Sequence, residues 1–200
     1  MLDTKFSVRD MAMGALKGVA YLKGLVNSEM YKYDGNNNFS PTTSGSITAL
    51  TSIAQGDGVA ARTGNSLLVK SVYINFNCIN NASATNGTII TSWLIMDTQQ
   101  VGDTSPAFTD IFTATNVNAI LSPESVGRFK ILRRDNIVLS PNGVATKQFK
   151  IYKRMLHHVR FNGVNSTDIQ KGGLYWVVCS NQAVNAPTVT YQFRVAYHDN

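Results

Sequence analysis

The sequence predicts an all-β fold, an eight-stranded antiparallel jelly-roll sandwich preceded by an amphipathic helix. Three observations carry the prediction. From Gly45 onward apolar residues alternate with polar ones at period two, turn-forming clusters interrupt that pattern at short intervals, and a helical period appears only near the amino terminus. At 200 residues the chain can bury most of its apolar surface in one such domain. The division expected is residues 1–38 for the helix and linker and residues 39–200 for the jelly-roll domain.

The helix is read over residues 7–26, where Ala12, Ala15, Leu16, Val19, Leu22 and Val26 fall on one side. Ser7 followed by Asp10 resembles a capping box with Asp in place of Glu. Lys23 lies within the apolar arc, and Gly14, Gly18 and Gly24 each cost up to about 1 kcal/mol relative to Ala, so the helix is expected to need a docking surface. Asp34-Gly-Asn-Asn-Asn38 then reads as a loop.

Eight strand segments follow, at residues 47–54, 72–78, 89–96, 128–133, 137–139, 149–161, 174–179 and 189–197. In the second, Val72, Ile74, Phe76 and Cys78 alternate with Tyr73, Asn75 and Asn77. The last is cleaner still, with Val189, Tyr191, Phe193, Val195 and Tyr197 against Thr190, Gln192, Arg194, Ala196 and His198. Residues 82–87, Pro141-Asn-Gly143, Asn162-Gly163, Lys171-Gly-Gly173 and Asn185-Ala-Pro187 supply the turns. Residues 99–124 form one long insertion, with a short helix expected at residues 108–112.

Charged residues make up 15% of the chain, below the roughly 25% usual for soluble domains. Ser, Thr and Asn take their place, as expected where broad surfaces bury against other protein. The net charge of +6 and pI near 9.4 admit a polyanionic partner. Cys78 and Cys179, each within an apolar run, form no Cys-x-x-Cys and read as two buried free thiols rather than a disulfide. The stretch from Met11 to Val26 is broken by Lys17 and Lys23, and no run reaches the roughly 18 apolar residues of a membrane span. No membrane partner is expected, and the sequons at Asn38, Asn81, Asn86 and Asn165 read as accidents of an Asn-rich chain.

A search for catalytic chemistry yields little. Gly56-Asp-Gly58-Val-Ala-Ala61 matches a dinucleotide fingerprint only formally, because that motif must open a helix and here a loop and a strand follow. His157 and His158 are adjacent on a strand and point to opposite faces, so they cannot share a metal. No Gly-x-Ser-x-Gly elbow occurs. No enzyme activity, metal or cofactor is expected.

The uneven feature is positive charge. Nine of the eighteen Lys and Arg fall between Arg128 and Arg160: Arg128, Lys130, Arg133, Arg134, Lys147, Lys150, Lys153, Arg154 and Arg160, opposed there only by Asp135. By parity Arg128, Lys130 and Arg134 share one strand face, and Lys150, Arg154, His158 and Arg160 share another, with Tyr152 between them. Brought together, they would neutralise phosphates without reading base sequence. The same pattern is also what a solvated sheet face guarded against edge pairing would show. Lys5, Arg9, Lys17 and Lys23 add a second basic element, partly offset by Asp3 and Asp10.

The order of motifs resembles the coat proteins of small circular single-stranded DNA viruses that encode a replication initiator, themselves similar to the satellite-necrosis-virus type of single jelly roll. The resemblance starts at residues 15–27 and continues through Gln55-Gly-Asp-Gly58 and Arg62-Thr-Gly-Asn-Ser-Leu-Leu-Val-Lys-Ser71. Next come Met96-Asp-Thr-Gln99, Phe108-Thr-Asp-Ile-Phe112, and Arg128-Phe-Lys-Ile-Leu132 with Asp135. Val159-Arg-Phe-Asn-Gly163, Gly173-Leu-Tyr175 and Phe193-Arg-Val-Ala-Tyr-His-Asp-Asn200 complete it. It implies a capsid subunit that assembles with itself into an icosahedral shell, packages a single-stranded genome, passes through the host nucleus and meets a host receptor. The family's Arg-rich amino-terminal arm has no counterpart before the helix, where only Lys5 and Arg9 stand. Either the arm is cut from this chain or packaging leans on the basic sheet face. A rival reading is a carbohydrate-binding jelly roll, which would want Trp93 or Trp176 exposed in a groove, although both lie in hydrophobic strand runs.

Overall fold

A computed structural model describes residues 8–25 and 30–199. Helix α1 (Val8–Leu25) comes first, then strands β1 (Tyr31–Phe39), β2 (Ser46–Ala49), β3 (Ser66–Ile79) and β4 (Thr88–Asp97). Helix α2 (Phe108–Ile111) lies in the insertion, followed by β5 (Phe129–Leu139), β6 (Thr146–Phe161), β7 (Ile169–Lys171), β8 (Gly173–Ser180) and β9 (Thr188–Asp199). The strands form two antiparallel sheets, β1-β9-β3-β6-β7 and β2-β8-β4-β5. The order β1-β9-β3-β6 over β2-β8-β4-β5 is the expected eight-stranded jelly roll, with β7 as a three-residue addition at the edge.

The path to eight differs from the reading by period. Residues 128–133 and 137–139, expected as two strands, run on as the single strand β5, while the first expected strand shortens to β2. The missing strand is β1, which contains the expected loop at Asp34-Gly-Asn-Asn-Asn38. It pairs along its full length with β9, from Tyr31 opposite Tyr197 to Phe39 opposite Val189. The sheet therefore begins at Tyr31, within the segment read above as linker. Turn-prone residues are tolerated because β1 is an edge strand: Tyr31, Tyr33 and Phe39 pack inward, and Asp34, Asn36 and Asn38 face water. Gly35 is required there because a Cβ would run into the Phe193 ring.

The main core lies between the sheets. Val72, Ile74, Phe76 and Cys78 of β3 meet Val189, Tyr191, Phe193 and Val195 of β9 across from Leu94 and Trp176. Trp176 packs at ring-centroid distances of 5.0 Å to both Phe76 and Tyr191, and its Nε1 donates to Ser92 Oγ at 2.7 Å. A second core covers the other face of the four-stranded sheet, where Trp93, Tyr175, Val177 and Cys179 pack under Phe108, Ile111, Phe112 and Val117 of the insertion. That two-sided burial explains why β8 is buried at every position rather than alternating. Both cysteines are free and buried, one in each core.

The loops at residues 53–65 and 162–168 are tied together by Arg62, which is fully buried. Its guanidinium donates to Ile53 O at 2.9 Å, to Gly64 O at 2.8 Å and to Gly163 O, and lies 3.9 Å above the Phe161 ring. Burial pulls its pKa down, against the opposing pull of Asp168 and Asp199. No helix follows Gly56-Asp-Gly58, so the dinucleotide geometry does not form. The helix expected at residues 7–26 is α1, although Ser7 of its suggested cap lies outside the described residues. Met11, Met13, Leu16 and Val19 are all more than half exposed, so the docking surface expected for α1 is not met within one chain among the described residues.

Candidate nucleic-acid interface

Antiparallel register places the outward side chains of the five-stranded sheet in rows. Lys32, Ala196, Ser71 and Arg154 stand abreast on β1, β9, β3 and β6. The next row is Asp34, Arg194, Tyr73 and Tyr152, and the one after it Asn36, Gln192, Asn75 and Lys150. Toward the other end His198, Leu68 and His158 align, then Ser66 with Arg160, which also pairs Lys171 of β7. The parity expected for Lys150, Arg154, His158 and Arg160 is thus realised on one face. Leu67, Val69, Val72, Ile74 and Phe76 fill the opposite face of β3 and hold it rigid.

Asp34 is the acid in these rows, and Arg194 occupies it through Nε to Oδ1 at 2.7 Å and Nη2 to Oδ2 at 2.5 Å. That hydrogen bonding holds the Asp34 carboxyl below its ordinary range, against the opposing push of burial. Among the described residues no carboxylate lies within ion-pair distance of Lys150, Arg154 or Arg160. An open groove of about 930 Å3 runs over this face, lined by Lys32, Lys70, Tyr73, Tyr152, Arg154 and Arg194.

The basic residues of β5 behave differently. Lys130 and Arg134 belong to the other sheet and Arg128 immediately precedes its strand β5, so the three do not share the outer face with Lys150, Arg154 and Arg160 as expected. Nor do they share one strand face. A register shift between Leu94 and Ile95 sets Lys130 opposite Met96 of the main-core side and Arg134 opposite Trp93 of the second core. The guanidinium heads of Arg128, Arg133 and Arg134 are also engaged. Arg128 grips the fully buried Asp97 through Nε at 3.0 Å and Nη2 at 2.8 Å, and this hydrogen bond raises its pKa. Arg133 holds Asp135 at 2.7 and 2.9 Å. Arg134 donates to Val117 O at 3.1 Å and lies 5.6 Å from the Trp93 ring.

Lys147 and Lys153 pair with Cys78 and Val72 in register, so they carry core-side parity and flank the sandwich edge rather than the outer face. Arg9 and Lys17 are exposed on α1, which also contains Lys23, and Lys5 lies outside the described residues. Residues that parity along one segment missed are Lys32, Lys70, Tyr73, Lys171 and Arg194, which join the face only through strand order. Both tryptophans are fully buried, which removes the exposed groove a carbohydrate-binding jelly roll would need from them.

The model of the geminivirus coat protein/nuclear export factor BR1 family matches residues 26–200. No curated protein sequence matches the chain. Among solved structures the chain is similar to turnip yellow mosaic virus, at 11% identity over 86% of this chain and 95% of that chain with a TM-score of 0.42. It is also similar to the decameric BFDV capsid protein, at 8% identity over 86% and 99% of the two chains with a TM-score of 0.41. The 60-mer BFDV capsid protein matches at 9% identity over 86% and 93%, with a TM-score of 0.39.

Proposed function

The chain belongs to the geminivirus coat protein/nuclear export factor BR1 family, and from that premise we propose that it is a shell-forming subunit whose basic sheet face meets the packaged genome. It is a viral coat protein and its place is the virion. Many copies close an icosahedral shell, and single-stranded DNA is the genome that the family points to. Passage through the host nucleus and contact with a host receptor complete the reading.

The observation that carries the genome-facing role is the charge balance of the outer β1-β9-β3-β6 face. Lys32, Lys150, Arg154 and Arg160 lie there, while Arg194 caps Asp34. Such a wall attracts phosphates by releasing condensed counterions, independent of base sequence and weakened by salt. The low charged fraction of the chain as a whole, 15%, favours contact between copies, each needing on the order of 1,000 Å2 or more of buried surface.

The test is a triple charge reversal, Lys150→Glu with Arg154→Glu and Arg160→Glu, in assembled particles. Electron microscopy counts shells and the absorbance ratio reports copurified nucleic acid. Shells that form but carry much less nucleic acid support the assignment. Shells that package normally refute it.

A further inference from the structure

The outer face offers more than charge. Tyr73 and Tyr152 are directly paired across β3 and β6, and Tyr152 is 56% exposed. Both line the groove with Lys32, Lys70, Arg154 and Arg194, beside the exposed apolar side chains of Met30 and Leu156, so cations and apolar surface border the two aromatics together. One row further, Asn36, Gln192 and Asn75 stand abreast with Lys150. Asn36, Asn75, Gln192 and Tyr73 line an adjoining hollow. On β6, Lys150 and Arg154 flank Tyr152 two residues to either side, a spacing of about 7 Å.

Phosphate neutralisation alone has no use for an exposed aromatic ring. In a duplex the base faces are stacked on one another, and a flat protein wall meets only phosphates. An unpaired strand presents ring faces and hydrogen-bonding edges together with its phosphates. Aromatic side chains in a basic groove take up those ring faces whatever the base, and amide side chains can both donate to and accept from the edges.

We propose that Tyr73 and Tyr152 form a stacking platform for unpaired bases, with the Asn36, Gln192 and Asn75 row meeting base edges and Lys70, Lys150 and Arg154 holding the phosphates. This rests on the reading that the face meets nucleic acid, and adds that it selects single strands over duplex. A ring face reads neither sugar, so DNA and RNA single strands bind alike through it.

The test uses the full chain and fluorescence anisotropy with labelled oligothymidylate, oligouridylate, an abasic oligomer and a duplex, all of one length, across a salt series. Tyr152→Ala should weaken binding of both base-bearing single strands by roughly 5- to 150-fold. It should leave the abasic oligomer, the duplex and the salt slope unchanged, and Tyr152→Phe should keep the affinity of the parent chain. Tyr73→Ala should follow the same pattern. An equal loss on the abasic oligomer, or no loss on any ligand, overturns the platform. So does a loss of shell assembly at unchanged affinity, which would make the groove a seat for another copy of the chain. Lys150→Glu with Arg154→Glu should weaken every ligand and flatten the salt slope. If that charge variant changes nothing, the genome-facing reading of the face itself fails.

Discussion

Replacing Asp97 by Asn removes a charge from a fully buried carboxylate while keeping its shape. In the parent chain the carboxylate accepts Arg128 Nε at 3.0 Å, Arg128 Nη2 at 2.8 Å and the Gln99 backbone N–H at 3.1 Å. An amide keeps one acceptor oxygen and turns its NH2 toward the guanidinium, donor against donor. Breaking a fully buried pair costs about 3–5 kcal/mol. Because the Arg128 side chain keeps 25% exposure, water recovers part of that loss, leaving an expected cost of about 2–3 kcal/mol. For a chain of this size each kcal/mol lowers Tm by about 2–4 °C, so the variant should melt about 4–12 °C lower. Thermal unfolding followed by circular dichroism measures the shift. Anisotropy with oligothymidylate, in parallel, should show no change, since Arg128 sits at the entry to the other sheet, away from the outer face. A fall in Tm under about 1 °C, or lost affinity at unchanged Tm, would refute a structural role for the pair.

Asp34→Asn should release Arg194 onto the outer face, tighten binding of single strands and steepen the salt slope by about one, as read from affinities over a salt series. The sign with pH follows from the lowered Asp34 value: the pair is intact at neutral pH, persists through the ordinary aspartate range, and opens only below it. The two thiols should resist alkylation at pH 8 (a value of order 8 is where an ordinary thiol reacts) until denaturant is added, because burial pushes Cys78 up to about 12 and Cys179 to about 11. Mass spectrometry of iodoacetamide-treated protein would show a contrary result as labelling of the native chain. Gly172→Ala should destabilise by about 1–3 kcal/mol, since its φ of 81° is left-handed and a Cβ would meet the His158 carbonyl and His157 ring. Gly58→Ala, with open space around it, is the control for the same urea titration.

Periodicity made β3, β6 and β9 legible because each has one face on the main core and one in water. Strand β1 was hidden by composition: Asp34-Gly-Asn-Asn-Asn38 carries turn residues, and the alternation of Tyr31, Tyr33 and Phe39 around them was the signal that could have revealed it. The insertion announced itself only as a break in the pattern. Its role as a cover was nonetheless written in β8, where Leu174–Cys179 is apolar throughout and demands burial from both sides. The basic face was half legible. Parity along β6 put Lys150, Arg154 and Arg160 on one strand face, as the register does, but parity along β5 failed at the shift beside Leu94, which no local pattern announces. Strand order, which decides that β5 and β6 lie in different sheets, depends on contacts far apart in sequence. Lys32 and Arg194 were therefore not grouped with Lys150 and Arg154.

The cover over Trp93 and Tyr175 has a further consequence. Trimming residues 99–124 to a tight turn would lay bare a broad aromatic floor, so this stretch is a wall of the building and not an ornament hung on it. One great plane of the subunit is thereby spoken for, and the broad sheet surface still open to water is the cationic one.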